Sequence, residues 1–224
     1  MKVMLLAAGR GERMRPLTDS CPKPLLKVAG KPLIQWHLER LAAAGFHEVV
    51  INLSWLGEQI ASALGDGGQF GVSIQYSREP WPALETGGGL FQALPLLGKA
   101  PFLVVNGDVF TDIDFATLRV AADDLAQLVL VGNPPQHPKG DFCLSGRGRI
   151  QAEGGARLTY SGVGVFRPEF FAGAQAGRFP LLPWLLRALE AGKLGGQRHD
   201  GLWLDIGTPE RLAELDARLQ PMRG

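Results

Sequence analysis

Residues Leu6 to Leu25 read Leu-Ala-Ala-Gly-Arg-Gly-Glu-Arg-Met-Arg-Pro-Leu-Thr-Asp-Ser-Cys-Pro-Lys-Pro-Leu. The stretch grows out of a short apolar run, Lys2 to Ala7, that reads as a buried strand. Gly9 and Gly11 then let backbone N–H groups close on an anion with no Cβ in the way, and Arg10, Arg13, Arg15 and Lys23 supply countercharge. The expectation is a polyphosphate cradle, with an ordinary solvated Gly/Arg turn as the plainer alternative. Two well-known phosphate loops are excluded. A dinucleotide fingerprint needs a third glycine where Met14 stands. A Walker loop needs Gly-Lys-Ser/Thr opening a helix, whereas Lys23 lies between Pro22 and Pro24, which remove backbone donors and place the lysine on a stiff extended arm.

Outward from this loop the chain alternates. Pro32 to Ala44 carries Leu33, Ile34, Leu38 and Leu41 at helical spacing, with Gly45 as its stop. Val49 to Leu53 reads as a strand, Trp55 to Leu64 as a helix, Val72 to Tyr76 as a strand, Gly88 to Leu96 as a helix and Phe102 to Asn106 as a strand buried on both faces. Strands at Gln127 to Val131, Arg149 to Ala152 and Arg157 to Phe166 follow, then helices near Leu182 to Ala191 and Pro209 to Leu219. Such alternation predicts an α/β fold, a Rossmann-like, mostly parallel sheet flanked by helices, in one domain. With 224 residues, 46% of them hydrophobic, the chain can bury a sizeable core.

Lys and Arg total 23 against 22 Asp and Glu, which excludes the basic field that nonspecific nucleic-acid binding needs. Two cysteines, Cys21 and Cys143, are too few for a disulfide framework and fit a reducing cytosol. The apolar run from Val3 to Ala8 is too short for a signal core, and no stretch reaches membrane-spanning length, so a soluble, cytoplasmic protein is expected.

Ligands of open α/β sheets sit beyond the carboxyl ends of the strands. Asn106-Gly107-Asp108 follows the apolar Phe102 to Val105 there, which makes Asp108 a candidate metal ligand or, alternatively, a turn cap. Asp205, after Leu202 to Leu204 and before the helix at Pro209, is a second candidate; its other reading is an anion near a helix N-terminus. Nucleotide-bound magnesium takes only one or two protein carboxylates, so this pair suffices. His37, His47, His137 and His199 show neither ligand nor triad spacing.

The whole segment from Leu6 to Leu25 resembles the signature of the sugar-1-phosphate nucleotidyltransferases, Leu-Ala-Ala-Gly-x-Gly-x-Arg-Met-x-Pro-Leu-Thr-x-x-x-Pro-Lys-Pro-Leu, without a gap. The resemblance implies a GT-A-like fold, with nucleotide-handling residues to about 110 and sugar-handling residues from about 111 to 224. It places Leu6, Ala8, Gly9, Gly11, Glu12, Arg13 and Lys23 on the nucleotide, with Arg13 and Lys23 as the catalytic cations. Thr86 and Gly87, in the Leu84 to Leu90 segment, fall where relatives read the base, although Glu85 stands where several relatives have glycine. Asp108 and Asp205 then share a Mg²⁺ ion, the latter within a Trp-x-Asp-Ile-Gly-Thr-Pro segment. For the sugar the resemblance points to Asn106, Gly140, Asp141, Glu153 and Gly162.

The implied reaction is attack of a sugar 1-phosphate on the α-phosphorus of a nucleoside triphosphate, releasing pyrophosphate. The chain ends soon after Leu219, leaving no room for the long left-handed β-helix of many relatives. With its Glu-Thr-Gly-Gly-Gly and Gly-Asp-Phe segments it is similar to compact members that use UTP and N-acetylmuramic acid α-1-phosphate in cell-wall recycling. Guanylyl transfer to mannose 1-phosphate, or transfer to glucose 1-phosphate, is the alternative within the family. A metal-dependent glycosyltransferase is the alternative outside it, but Asn106-Gly107-Asp108 only half fits an Asp-x-Asp motif, and such an enzyme has no need of Arg13 and Lys23. A noncatalytic nucleotide sensor fits poorly with retention of both aspartates and Lys23.

Overall fold

The computed structural model describes residues 1–219. Its elements in chain order are β1 (Val3–Leu6), a β2–β3 hairpin (Lys27–Val28 and Lys31–Pro32), α1 (Leu33–Ala43), β4 (Glu48–Leu53), α2 (Gly57–Leu64), β5 (Ser73–Arg78), α3 (Glu85–Leu97) and β6 (Phe102–Asn106). The second half supplies β7 (Val109–Thr111), β8 (Ala126–Val131), β9 (Phe142–Leu144), β10 (Ile150–Gln151), β11 (Arg157–Phe166), α4 (Leu182–Glu190), β12 (Leu194–Arg198), β13 (Trp203–Asp205) and α5 (Pro209–Leu219).

One mixed sheet runs through both halves in the order β10-β9-β11-β6-β1-β4-β5, with β8 on β11 and β12 on β8. The strands β6, β1, β4 and β5 are parallel, as right-handed strand-helix-strand crossovers require. β11 enters antiparallel beside β6, so the sheet changes direction at that pair. Alternate residues of the central strands feed opposite cores. Val3, Leu5, Val49, Ile51, Leu103 and Val105 pack with Ile34, Leu38 and Leu41 of α1 and Ile60 and Leu64 of α2. Met4, Val50, Phe102 and Val104 pack on the other side with Leu90, Ala93 and Leu97 of α3 and Leu185 and Ala188 of α4. This two-sided burial is why the strands read as unbroken apolar runs. A smaller cluster joins Leu215 and Leu219 of α5 to Met14, Leu26, Val28 and Ile206, tying the last helix to the first loop.

The expected elements form, with ends shifted by a few residues, while β2, β3, β7, β9 and β12 were not foreseen. β12 reads as a loop because Gly195 and Gly196 interrupt it. The Gln127 and Ile150 side chains fill the space a β-carbon would take, a Cβ at Gly195 lying 2.1 Å from Gln127 Oε1 and one at Gly196 2.4 Å from Ile150 Cδ1. Both cysteines are free thiols, Cys143 buried. Among the described residues no helix is long and apolar enough to cross a membrane.

Candidate active site

The loop after β1 forms one wall of a cleft of about 350 Å³ at the carboxyl ends of the parallel strands. Leu6, Ala8, Gly9, Gly11, Glu12, Arg13, Lys23 and Thr86 all line it, together with Asn106, Asp108 and Gly207. The loop is pinned from both sides. Ala7 N donates to Asn52 Oδ1 at 2.7 Å, and Thr18 Oγ1 donates to Gly11 O at 2.9 Å. Across the cleft Gly107 N donates to Leu6 O at 2.9 Å, where a Cβ would lie 2.5 Å from that oxygen. Only glycine lets the turn that carries Asp108 approach β1 so closely.

Lys23 does not ride on an extended arm. Pro22 is extended, but Lys23 opens a short 3-10 turn closed by Leu25 N on Pro22 O at 2.8 Å. A turn's first N–H groups lack internal partners, so Pro24 loses nothing there and its ring favours the turn. The result is a buried lysine, 8% exposed, whose Nζ donates to Asp108 Oδ2 at 2.8 Å. The four expected cations of the cradle also reduce to two. Arg10 donates to Thr18 O at 2.7 Å, pairs with Asp19 at 3.1 Å and covers the Trp55 ring at 3.8 Å, while Arg15 reaches Asp19 at 2.8 Å. The Arg10 hydrogen bond, ahead of other influences, holds the Asp19 carboxyl below its ordinary range. Arg10 and Arg15 brace the loop, and Arg13 and Lys23 face the cleft.

A second hollow of about 230 Å³ adjoins the first, and Asn106 and Asp108 line both. Asp205, Gly162, Thr159, Gln136, His137 and Trp203 complete its wall. The β7–β13 ladder brings the two aspartates together: Asp205 is registered against Val109, and Ile206 N donates to Asp108 O at 2.7 Å. Asp205 Oδ1 accepts from Gln136 Nε2 at 2.6 Å and from Arg211 Nη1, so its Oδ2 is left open. Asp108 likewise uses Oδ2 for Lys23 and keeps Oδ1. Among the described residues no group of three or more His, Cys, Asp or Glu is placed to hold a metal alone. Two carboxylates, each with an oxygen to offer, suit magnesium that completes its shell with phosphate and water oxygens.

Four expected site residues are placed otherwise. Gly87 lies off the cleft wall, against the Phe179 ring, where a Cβ would come within 2.6 Å. Asp141 uses both oxygens internally, Oδ1 on His137 Nε2 at 3.0 Å and Oδ2 accepting from Tyr160 N at 2.8 Å, so it ties the loop before β9 to β11 rather than facing the hollow. Gly140 packs on Asn133, and Glu153 stands exposed in the turn between β10 and β11. Sequence reasoning missed Asn52, Glu79, Gln136, His137 and Arg211. Glu79 follows β5 as Asp108 follows β6, a strand-end carboxylate that could have been read. It is buried in the cleft wall, where burial pushes its carboxyl up despite hydrogen bonds from Leu84 N and Asn52 Nδ2.

Glu85 opens α3 at φ +63°, a left-handed conformation that favours glycine, so the glutamate sits there against its backbone preference. Its carboxylate pairs with Arg178 at 3.1 Å.

A family model described as nucleotidyl transferase matches residues 2–153. The chain is 58% identical to an N-acetylmuramate alpha-1-phosphate uridylyltransferase of Neisseria meningitidis serogroup B over 97% of each chain. It is 37% identical to a protein of the same name from Caulobacter vibrioides over 96% of each. Among solved structures, a Bacillus anthracis protein described as a glucose-1-phosphate thymidylyltransferase, in complex with a sucrose, superposes with a TM-score of 0.84 at 22% identity, over 98% of this chain and 95% of that one. HddC from Yersinia pseudotuberculosis complexed with GMP-PN superposes with a TM-score of 0.77 at 20% identity, over 97% and 99%. Those two likenesses concern the fold. Because the matched span carries the glycine loop, Lys23 and Asp108, and the curated relatives align almost end to end, the chain belongs to the nucleotidyl transferase family.

Proposed function

We propose that the protein transfers a uridylyl group from UTP to N-acetylmuramic acid α-1-phosphate, giving UDP-N-acetylmuramic acid and pyrophosphate with Mg²⁺ as the metal. The observation that carries this choice of substrates is the 58% identity, over nearly the full length of both chains, to a relative of that name. The chemistry is supported by the cleft itself. An oxygen of the sugar phosphate attacks the α-phosphorus, the bond from that phosphorus to the bridging oxygen breaks, and its electron pair leaves on pyrophosphate. No protein nucleophile is required, so the residues act by aligning two anions and neutralising charge.

In this reading the glycine loop takes the triphosphate, and Arg13 meets the β- and γ-phosphates as they depart. Lys23, held at the junction of the two hollows through Asp108, guides the incoming sugar phosphate. Asp108 and Asp205 would hold the metal, which would supply charge neutralisation at the phosphates. Thr86, in the cleft wall, offers its hydroxyl to the edge of a base, while Glu79 holds Asn52 and the backbone N–H of Leu84 in that wall. Asn106 and Gly162, with Gln136 and His137, face the sugar. UTP is an intracellular substrate and the free thiols Cys21 and Cys143 suit a reducing compartment, so we place the reaction in the cytoplasm.

Pyrophosphate release across a panel of nucleoside triphosphates and sugar 1-phosphates, with magnesium present or chelated, tests the proposal. UTP with N-acetylmuramic acid α-1-phosphate should give the highest kcat/KM, and chelation should abolish it. A preference for GTP with mannose 1-phosphate would overturn the substrates and leave the mechanism standing; silence with every pair would sink both.

A further inference from the structure

Gly207 separates two guanidinium groups. An ideal Cβ at this residue would lie 3.0 Å from Arg13 Nη2 and 3.2 Å from Arg211 Nη2, so both arginines crowd the same point of the cleft wall that Gly207 lines. Arg211 comes from the first turn of α5, beyond the Trp203 to Thr208 segment. Its Nη1 donates to Asp205 Oδ1 and, at 3.2 Å, to Asp205 O, in a pair whose side chains are only 18% and 24% exposed. One edge of the guanidinium is therefore fixed, and the other, Nη2, reaches the Gly207 position that Arg13 Nη2 also approaches. Among the described residues Arg13 has no anionic partner.

Like charges this close repel unless an anion lies between them. An arginine carries five donors in a rigid fork, so one group can hold a carboxylate by one edge and meet a phosphate oxygen with the other. A triphosphate and a sugar phosphate together bring more negative charge than Arg13 and Lys23 neutralise, and Lys23 is already paired with Asp108. We infer that Arg211 is a second arginine of the triphosphate site: opposite Arg13 it binds the phosphates that leave as pyrophosphate, while its other edge keeps Asp205 in place. The inference rests on the reading of the cleft as a triphosphate site.

Calorimetric titration of inorganic pyrophosphate with magnesium into the wild type, Arg211→Gln and Arg211→Lys separates the two ideas, with UTP and UMP as further titrants. Loss of a charge-assisted hydrogen bond predicts pyrophosphate binding weaker by about tenfold to a hundredfold in Arg211→Gln. UMP, which lacks the leaving phosphates, should bind both proteins alike. Arg211→Lys should recover only part of the loss, because a point charge cannot span Asp205 and a phosphate. Unchanged pyrophosphate affinity in Arg211→Gln overturns the inference and leaves the triphosphate reading intact. Equal losses for UMP and pyrophosphate, or full recovery by lysine, also overturn it, since they assign a scaffolding or bulk-charge role. A wild type that binds neither UTP nor pyrophosphate removes the triphosphate reading, and the inference with it.

Discussion

His37 makes stability depend on pH in a way that can be measured. The residue lies on α1, 4% exposed, with its ring hydrogen-bonded to the backbone of Val109, the residue after Asp108. Burial, and secondarily the Arg40 guanidinium one turn on, depress its pKa from 6.5 to about 4, while Asp108 pulls weakly the other way. The folded value is the lower one. Below pH 6.5 the unfolded chain therefore takes up a proton that the folded chain refuses until about pH 4, and stability falls across that window as acid is added. The full depression is worth about 3 kcal/mol, a large share of a typical total of roughly 5–15 kcal/mol. Glutamine at this site retains an N–H for the backbone acceptor and cannot titrate. Urea denaturation of wild type and His37→Gln, followed by far-UV circular dichroism between pH 7 and pH 4, should show the wild type losing about 3 kcal/mol more than the variant. Parallel curves, or an imidazole that titrates near 6.5 by NMR in the folded protein, would refute the reasoning.

Asp108→Asn and Asp205→Asn should each lower turnover by orders of magnitude while leaving the melting temperature within a few degrees; near-normal activity in either, by pyrophosphate release, removes that residue from the metal pair. Leu38→Ala, at a fully buried position between α1 and the sheet, should destabilise by about 2–5 kcal/mol in the same denaturation assay. Glu85→Gly should be more stable than Glu85→Ala by about 1 kcal/mol, because only glycine relaxes the left-handed backbone while both variants lose the Arg178 pair.

The central strands and the helices were legible because their signal is local. Val3 to Leu5, Val49 to Leu53 and Phe102 to Val105 are buried on both faces, and α1 spaces Ile34, Leu38 and Leu41 for one side of the sheet, so each element declares itself within a dozen residues. Asp108 and Asp205 were legible as strand-end carboxylates, but their meeting was not, since three-residue strands such as β7 and β13 carry no usable period and pair across a long stretch of chain. The placements of Glu153 and Asp141 were not legible for a related reason: acidic residues near a turn look alike in sequence whether they face a hollow, stand in solvent or hold a neighbouring loop.

By itself the sequence determined that a glycine loop with Arg13 and Lys23 follows the first buried strand, because that requires only neighbouring residues and their intrinsic conformations. Tertiary structure alone decided that Lys23 is held on Asp108, that Asp108 and Asp205 come together, and that Arg13 and Arg211 both reach Gly207. Those outcomes join residues far apart in the chain, Lys23 with Asp108, Asp205 with Val109 of β7 and Arg13 with the Gly207 to Arg211 stretch, and they are settled only when the sheet brings these segments together; Arg10 and Arg15 reach Asp19, and Arg211 reaches Asp205, within nine residues.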